Sequence, residues 1–162
     1  MKTIIILRHG KAEIGDFDTD DFDRHLTDRG RRNASEMGKF IYIKVNKLDL
    51  IIASDSKRTT QTAKFACDSM NYPKEKIQFD SDLYLASMRR ILKIVFNLSD
   101  AINSCIIVGH NPGLTDLVNH FGVRLDNLPT ASAVCFNFET DNWNEISAEN
   151  AKFQWIQLAR DL

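Results

Sequence analysis

The stretch TIIILRHG, residues 3–10, decides the fold, because an uninterrupted apolar run here ends directly in charged residues. A continuous β-branched run such as Thr3–Leu7 is typical of a central strand that is covered on both faces. Arg8, His9 and Gly10 follow with no spacer. The stretch therefore predicts a buried strand of a parallel sheet whose end carries chemically active groups.

Strand-like and helix-like segments alternate along the rest of the chain. This alternation predicts one α/β domain over residues 1–162, a three-layer α/β/α sandwich with a mostly parallel central sheet. Thr27 is the expected N-cap of the first helix. Further strands are predicted over Leu48–Ala53, Lys76–Phe79, Ser104–Val108, Ala133–Glu139 and Phe153–Ala159, and helices over residues 27–45, 57–70, 87–98 and 112–122.

Composition excludes several classes of function. The formal net charge of the 162 residues is -1, so no general basic field attracts nucleic acid. No apolar run is long enough to be a signal peptide or to span a membrane. Cys67, Cys105 and Cys135 lie in apolar segments without a C-x-x-C pair, which indicates reduced, buried thiols in a cytoplasmic protein rather than a zinc site. A monomer is the default expectation.

Three strand ends carry groups suited to a phosphoryl group. Arg8 and His9 follow the first strand, Arg58 lies shortly after the second, and His110 follows the strand that ends at Val108. Parallel strands meet at their carboxyl ends, where ligands bind in open α/β sheets. We therefore expect two arginines and two histidines to converge at one edge of the sheet.

Each of these residue types has a physical reason to be there. Arginine binds phosphate oxygens with a planar fork, and a neutral histidine can attack phosphorus to give a phosphohistidine. A second histidine adds a donor for the transferring oxygens, and Gly10 lets the backbone approach the ligand. Taken singly, Arg8 and His9 also fit a surface pair, His110 a turn that caps a helix, and Arg58 an exposed helix residue. The joint pattern favours the site.

Five short motifs in this order resemble the histidine phosphatase superfamily, and in particular its SixA-type branch, which lacks the insertions of phosphoglycerate mutases. The resemblance implies a phosphoglycerate mutase-like fold and no cofactor or metal. The motifs are RHG at residues 8–10, R-x-L-T-x-x-G at 24–30, S-x-x-x-R-x-x-Q-T at 54–62, GHNP at 109–112 and T-x-S-A at 130–133.

The resemblance also implies roles for individual residues. His9 would accept the phosphoryl group, while Arg8, Arg58 and His110 would hold its oxygens. Four further residues would bind substrate or shape the pocket: Gly10, Arg24, Asn111 and Ser132.

The general acid is less well defined. Asp82 lies in the segment DSDLYLAS, where larger superfamily members supply a carboxylate, but no glutamate stands there. Asp21, shortly before the R-x-L-T arginine, is the other position that the SixA-type branch suggests. A phosphohistidine needs less help from an acid, because its nitrogen leaving group is readily protonated. A missing acid therefore fits a phosphoramidate better than a phosphate ester.

These features favour an enzyme that removes phosphate from a phosphohistidine protein, such as a histidine-phosphotransfer domain in signal transduction. The alternatives are a small-molecule phosphomonoesterase, a mutase, or a non-catalytic module that binds phosphorylated ligands. The complete set of histidines and arginines favours the enzyme, and the short chain favours an open site for a bulky substrate.

Other kinds of site are excluded by the sequence. Asp16–Asp21 lacks the residues of an EF-hand or haloacid-type site, and no cysteine has the C-x5-R spacing of cysteine phosphatases.

Overall fold

The computed structural model describes residues 1–162, and all of its strands belong to one six-stranded sheet with the order β3-β2-β4-β1-β5-β6. The strands are β1 Lys2–Arg8, β2 Leu50–Ser54, β3 Gln78–Asp80, β4 Ser104–Gly109, β5 Ala133–Phe138 and β6 Ala151–Gln157. The helices are α1 Asp28–Lys44, α2 Lys57–Asp68, α3 Met88–Phe96 and α4 Gly113–His120.

The sheet is mostly parallel, as predicted. Strand β1 pairs in parallel with β4, and β2 pairs in parallel with both β3 and β4. Only β5 runs against its neighbours, pairing antiparallel with β1 and β6. The carboxyl ends of β1, β2 and β4 therefore lie side by side at one edge of the sheet.

Each face of the sheet has its own hydrophobic core. Ile4 and Ile6 of β1 belong to the core beneath α3 and α4, whereas Ile5 and Leu7 belong to the core beneath α1 and α2. All four side chains are fully buried. Successive side chains of a strand point to opposite faces, so a strand with a helix layer on each side must be apolar at every position. The three-layer α/β/α prediction is confirmed.

Three of the helices begin at a side-chain cap. The hydroxyl groups of Thr27, Ser56 and Ser87 accept hydrogen bonds from the backbone N–H three residues further on, at the starts of α1, α2 and α3. Such caps satisfy N–H groups that have no partner within the helix. The predicted N-cap at Thr27 is confirmed. None of the helices has the length and apolar character needed to cross a membrane.

Three strands begin two residues away from their predicted starts. Strand β3 begins at Gln78 rather than Lys76, because residues 74–76 form a short 3-10 turn. Strand β2 begins at Leu50 rather than Leu48. The preceding residue, Asp49, instead binds the start of β4, since its carboxylate accepts hydrogen bonds from the N–H groups of Asn103 and Ser104. The last strand is shifted two residues towards the N-terminus of the predicted range and begins at Ala151.

A buried lysine marks the amino end of β1, opposite the edge where the active groups lie. Lys2 is fully buried, and its Nζ donates to the carbonyl oxygens of Asp100 and Ile102, both at 2.7 Å, and to Asn103 Oδ1 at 3.1 Å. The ammonium group also lies 5.3 Å from the centroid of the Trp143 ring. All three of its N–H donors thus have an acceptor.

Candidate active site

The register between β1 and β4 brings the two histidines together. Arg8 lies opposite Gly109, and the His9 N–H donates to the Gly109 carbonyl at 3.2 Å. His9 and His110 therefore leave adjacent strands at the same level. Their ring centroids are 5.5 Å apart.

His9 has the geometry of a nucleophile. Its side chain is buried, and Nδ1 lies 2.7 Å from the carbonyl oxygen of Gly10. A carbonyl only accepts hydrogen bonds, so Nδ1 carries the proton and Nε2 keeps its lone pair. Burial, with Arg8, Arg58 and Arg24 adding to it, lowers the pKa of His9 to about 4 against the opposing effect of the Gly10 bond. The ring is thus neutral near pH 7.

His110 is held through Nε2, whereas His9 is held through Nδ1. Its Nε2 lies 2.9 Å from Ser54 Oγ, which also accepts a hydrogen bond from the Ser56 N–H at 3.3 Å. Its Nδ1 is buried and has no partner within the protein. Burial, then the charge of Arg58 and the proximity of His9, lower the pKa of His110 to about 3. The free protein therefore holds His110 neutral as well.

The two arginines differ in how their donors are used. Arg8 donates from Nη1 to the Leu128 carbonyl at 3.0 Å, while its Nε is buried without a partner. Arg58 is only 3% exposed and stands in the first turn of α2. It donates from Nη1 to the Asp21 carbonyl at 2.8 Å and from Nη2 to Asp21 Oδ2 at 3.1 Å.

The Asp21 carboxylate is surrounded by donors. Besides Arg58 it accepts hydrogen bonds from Arg24 Nη1, at 2.9 Å, and from the Tyr84 hydroxyl. The Tyr84 bond is the largest cause that lowers the pKa of Asp21 to about 2; burial opposes it, and the contacts with Arg24 and Arg58 lower the pKa further. Asp21 is therefore at the site but ionised, which makes it a poor proton donor near neutral pH.

Asp82 is not brought to this cluster. Its side chain is exposed and lines a surface groove with Asp80, Arg90 and Lys93 beside α3. None of the histidines or arginines described above lines that groove. The structure therefore separates Asp82, in the turn at Ser81–Leu83, from the cluster and gives no support to its role as general acid, whereas Tyr84 contacts Asp21.

Arg24 lies at the rim of the cluster, as the sequence suggested. It joins the loop of residues 13–23 to the site, since its Nε donates to the Glu13 carbonyl at 2.7 Å and its Nη1 to Asp21. Its side chain retains partial exposure, at 29%.

Gly10 is required for a different reason from the one expected. A Cβ at this position would stand 2.8 Å from the carbonyl oxygen of Gly30, so the absent side chain allows close contact with the start of α1. Its N–H donates to Thr62 Oγ1 at 2.9 Å. Packing against the helix is therefore a role that the structure shows for Gly10, and the close approach of a ligand stays a prediction.

Two other predicted binding residues use their polar groups within the protein. Asn111 donates to the Leu128 carbonyl at 2.9 Å and accepts from the Thr115 hydroxyl at 2.9 Å, which shapes the turn after His110 as expected. Ser132 is fully buried, and its hydroxyl accepts from the Ala159 N–H at 3.1 Å. Ser132 is therefore a support for the C-terminal turn rather than a substrate-binding residue.

Sequence reasoning gave no role to two contributors, although Thr62 stands at the end of the S-x-x-x-R-x-x-Q-T motif. Tyr84 contacts Asp21, and its ring lies 5.4 Å from that of His110, yet nothing in its local sequence indicates this long-range contact. Thr62 accepts from Gly10 and donates to the Arg58 carbonyl at 2.7 Å, so it joins β1 to α2. The four-residue spacing of Arg58 and Thr62, which puts both on one helix face, was the available signal.

Comparison with known proteins places this geometry in context. The family model described as the histidine phosphatase superfamily (branch 1) matches residues 4–84, half of the chain. The mitochondrial serine/threonine-protein phosphatase Pgam5 of Drosophila yakuba is 25% identical over 185 residues, covering 96% of this chain. The chain spans 58% of the length of that curated relative.

Two solved structures are similar over nearly the whole chain. A chain from Nakamurella multipartitia, described as a candidate phosphohistidine phosphatase SixA, has a TM-score of 0.83 at 20% identity and covers 96% of this chain and 95% of its own. The protein histidine phosphatase SixA in complex with tungstate has a TM-score of 0.81 at 20% identity, with 98% of each chain covered. This likeness confirms the phosphoglycerate mutase-like fold.

Proposed function

This chain belongs to the histidine phosphatase superfamily, and on that premise we propose that it removes the phosphoryl group from phosphohistidine on a protein, such as a histidine-phosphotransfer domain. The observation that carries this proposal is the state of Asp21. It is the one carboxylate hydrogen-bonded within the cluster, and its partners lower its pKa to about 2. The site thus favours a leaving group that needs no strong acid.

Binding of the phosphoryl group uses polar groups that the protein leaves unpaired or exchangeable. Arg8 Nε and His110 Nδ1 are buried and have no protein partner. The Arg58 guanidinium, paired with Asp21 in the free protein, can turn its fork to the phosphoryl oxygens. The negative charge of the bound group raises the pKa of His110, which favours its protonated, donating form.

The first chemical step transfers the phosphoryl group to His9. Its Nε2 lone pair attacks phosphorus while the P–N bond of the substrate breaks, and the bonding pair leaves with the substrate imidazole. That imidazole nitrogen takes a proton from solvent. The bond from His9 Nδ1–H to the Gly10 carbonyl orients the ring and stabilises the positive charge that develops on it.

The second step returns the enzyme to its free form. A water oxygen attacks the phosphorus of phospho-His9, the Nε2–P bond breaks, and Nε2 recovers its lone pair. The water gives up a proton, and inorganic phosphate is released. Arg8, Arg58 and His110 stabilise the transferring oxygens in both steps, since both pass through the same phosphoryl geometry.

Hydrolysis of a protein phosphoserine or phosphothreonine is the second candidate, because the curated relative is named as a serine/threonine-protein phosphatase. An alkoxide leaving group is far more basic than an imidazole and requires a proton donor. Asp21 serves that purpose only if substrate binding removes its three donors and so raises its pKa. Small phosphate esters make the same demand.

The test compares three substrates in the presence of a chelator: a phosphohistidine-carrying phosphotransfer protein, a phosphoserine peptide and para-nitrophenyl phosphate. The native protein and the His9→Ala and Asp21→Asn variants are assayed in parallel. We expect rapid, His9-dependent release from phosphohistidine and less than about a tenfold loss in Asp21→Asn, since general acids typically contribute 10²-fold or more. Faster turnover of an ester, with a loss of about 10²-fold in Asp21→Asn, would identify Asp21 as the acid. Binding without turnover would identify a non-catalytic module.

The cysteines support the proposal of a reducing compartment such as the cytoplasm. All three are free and buried, and burial raises the pKa values of Cys105 and Cys135 to about 12. Such thiols resist oxidation because the reactive thiolate is suppressed. A place in signal transduction, with a phosphotransfer domain as partner, is part of the same proposal.

A further inference from the structure

An acidic and apolar rim borders the candidate active site. We define this rim as residues 13–23, with the sequence EIGDFDTDDFD, together with Leu85. The segment contains six carboxylates and no lysine or arginine. Between the carboxylates, Ile14 is 88% exposed, Phe17 fully exposed and Phe22 36% exposed, and Leu85 is 54% exposed. Exposed apolar side chains gathered in one place typically mark an interaction surface.

The rim is continuous with the site. Asp21 of the rim bonds to Arg58, and the ring of Phe22 lies edge-on to that of Tyr84 at 5.1 Å. The Tyr84 ring in turn lies 5.4 Å from His110. Leu85 is the next residue along the chain from Tyr84. The rim is thus joined to His110 through Phe22 and Tyr84, so a protein bound at the site can contact it.

The rim is anchored, so its exposure is a built feature of the surface. Asp16 Oδ1 accepts hydrogen bonds from the Asp18 N–H and the Thr19 hydroxyl, both at 2.9 Å. The Glu13 N–H donates to the His25 carbonyl at 2.8 Å, and Arg24 binds the Glu13 carbonyl. The fold thus holds the apolar side chains towards solvent.

The charge of the rim selects among phosphate carriers. Six carboxylates beside an anion site repel a small free phosphate ester, whose own charge is all negative. A phosphoryl group on a protein surface rich in lysine and arginine is attracted instead. The cations of that surface lie against the acidic rim, while the arginines of the site bind the phosphoryl group.

We propose that the rim is the docking surface for a phosphoprotein whose phosphohistidine is flanked by basic and apolar side chains. This proposal rests on the proposed function for the chemistry of the phosphoryl carrier. The acidic residues set the rate of encounter and the choice of partner, and Ile14, Phe17 and Leu85 provide the apolar contact.

Two phosphohistidine peptides of equal length test the proposal, one with lysine and leucine flanking the histidine and the other with glutamate and leucine. Dissociation constants are measured with the His9→Ala variant, so that docking is read without turnover. We expect the lysine peptide to bind about tenfold more tightly at low ionic strength, with the preference falling as salt screens the charges. Equal binding of the two peptides would overturn the proposal.

Two sets of variants, made in the His9→Ala background, locate the effect. In the acidic set, Asp18→Asn, Asp20→Asn and Asp23→Asn together should reduce the preference to about twofold, since all three are exposed and lie in the rim. The matched control removes the same charge elsewhere, at exposed Glu36, Glu75 and Glu149, by replacement with glutamine. A preference that survives the rim variant, or that falls equally in the control, would place the docking surface elsewhere.

The apolar set pairs Ile14→Ala and Phe17→Ala with a control of Ile43→Ala and Phe153→Ala, which are exposed at 76% and 46% outside the rim. Weaker binding of both peptides in the rim variant alone is expected, and no change would contradict the apolar contact. Turnover by the native protein is scored separately. Charge-selective binding with no release of phosphate from either peptide would contradict the proposed function while supporting the docking surface.

Discussion

Strand β1 begins with a fully buried cation, Lys2, and ends with a half-buried one, Arg8, and the two ends behave differently. At the amino end, all three donors of Lys2 are matched by acceptors at 2.7–3.1 Å. At the carboxyl end, Arg8 Nε is buried without a protein partner, as is Nδ1 of the neighbouring His110. In the sequence KTIIILR the two ends look alike, since each is a basic residue. Only the carboxyl end has a hydrogen-bond donor that no protein group pairs.

The difference indicates how to separate a structural cation from a functional one. A buried polar atom without a partner costs about 1–3 kcal/mol, so a fold rarely retains one without a use. Three buried side-chain atoms lack a partner in this protein: Arg8 Nε, His110 Nδ1 and Asp55 Oδ1. They lie at the carboxyl ends of three adjacent strands: Arg8 is the last residue of β1, and His110 and Asp55 directly follow β4 and β2. The cost is concentrated at one edge of the sheet, where we place the chemistry.

Replacement of His9 should have the largest effect at the carboxyl end. We expect His9→Ala to lose covalent labelling by a radioactive phosphohistidine substrate and at least about 10⁴-fold in kcat, because no other group supplies the nucleophile. Circular dichroism and urea unfolding should show a folded protein. The same replacement at exposed His120 serves as the control. A labelled, active His9→Ala protein would remove His9 from the role of nucleophile.

Replacement of Arg58 should come next. Arg58→Lys keeps the charge but loses the planar fork, and we expect kcat/KM to fall by about 10²–10³-fold. Exposed Arg89→Lys is the matched control and should stay within about twofold, as expected of a surface change. A small effect at Arg58 would mean that the fork is not used on the phosphoryl group.

Replacement of Lys2 sharpens the comparison from the other end. Lys2→Met keeps the apolar stem but removes the donor to the carbonyl oxygens of Asp100 and Ile102, of which only Ile102 keeps another donor, Trp143 Nε1. We therefore expect the free energy of unfolding to fall by about 1–3 kcal/mol. Turnover per folded molecule should be unchanged. Exposed Lys39→Met is the control for the loss of charge. A loss of kcat in folded Lys2→Met would contradict the conclusion that Lys2 is a structural cation and Arg8 a functional one.

The buried histidines should also make stability depend on pH. Their pKa values are about 4 and about 3 in the folded protein, against 6.5 ordinarily, so unfolding takes up protons at His9 and His110 below pH 6.5. The free energy of unfolding is therefore highest above pH 6.5 and falls as the pH is lowered towards 4, by up to about 1.4 kcal/mol per pH unit for each histidine. Urea unfolding between pH 7 and 4.5 measures this slope. A His9→Ala, His110→Asn double variant with an unchanged slope would contradict the assignment.

Much of the fold followed from local sequence. Apolar runs such as Ile4–Leu7 and Ile106–Val108 can be satisfied only between two helix layers, and parallel pairing then brings their ends together. The close approach of Arg8, His9, Arg58 and His110 was therefore predictable in outline.

The finer roles were not predictable, because they depend on contacts between distant segments. Gly10 has its function only because Gly30 packs against it, and Ser132 because Ala159 returns to it. Tyr84 reaches Asp21 across 63 residues of chain. No periodicity or spacing encodes such pairs, and the protonation state of Asp21 depends on them.

The position of β1 in the sheet has a consequence for how the protein folds. β1 ends at Arg8, but its two neighbours, β4 and β5, begin at Ser104 and Ala133. Both ladders close loops of about 100 residues or more, which is the kind of long-range pairing that slows folding. A nascent chain that has emerged only as far as β3 contains Arg8, His9 and Arg58 yet has no partner strand for β1. We therefore expect His9 and His110 to come together late in folding. A fragment limited to residues 4–84 should expose both edges of its most apolar strand and aggregate.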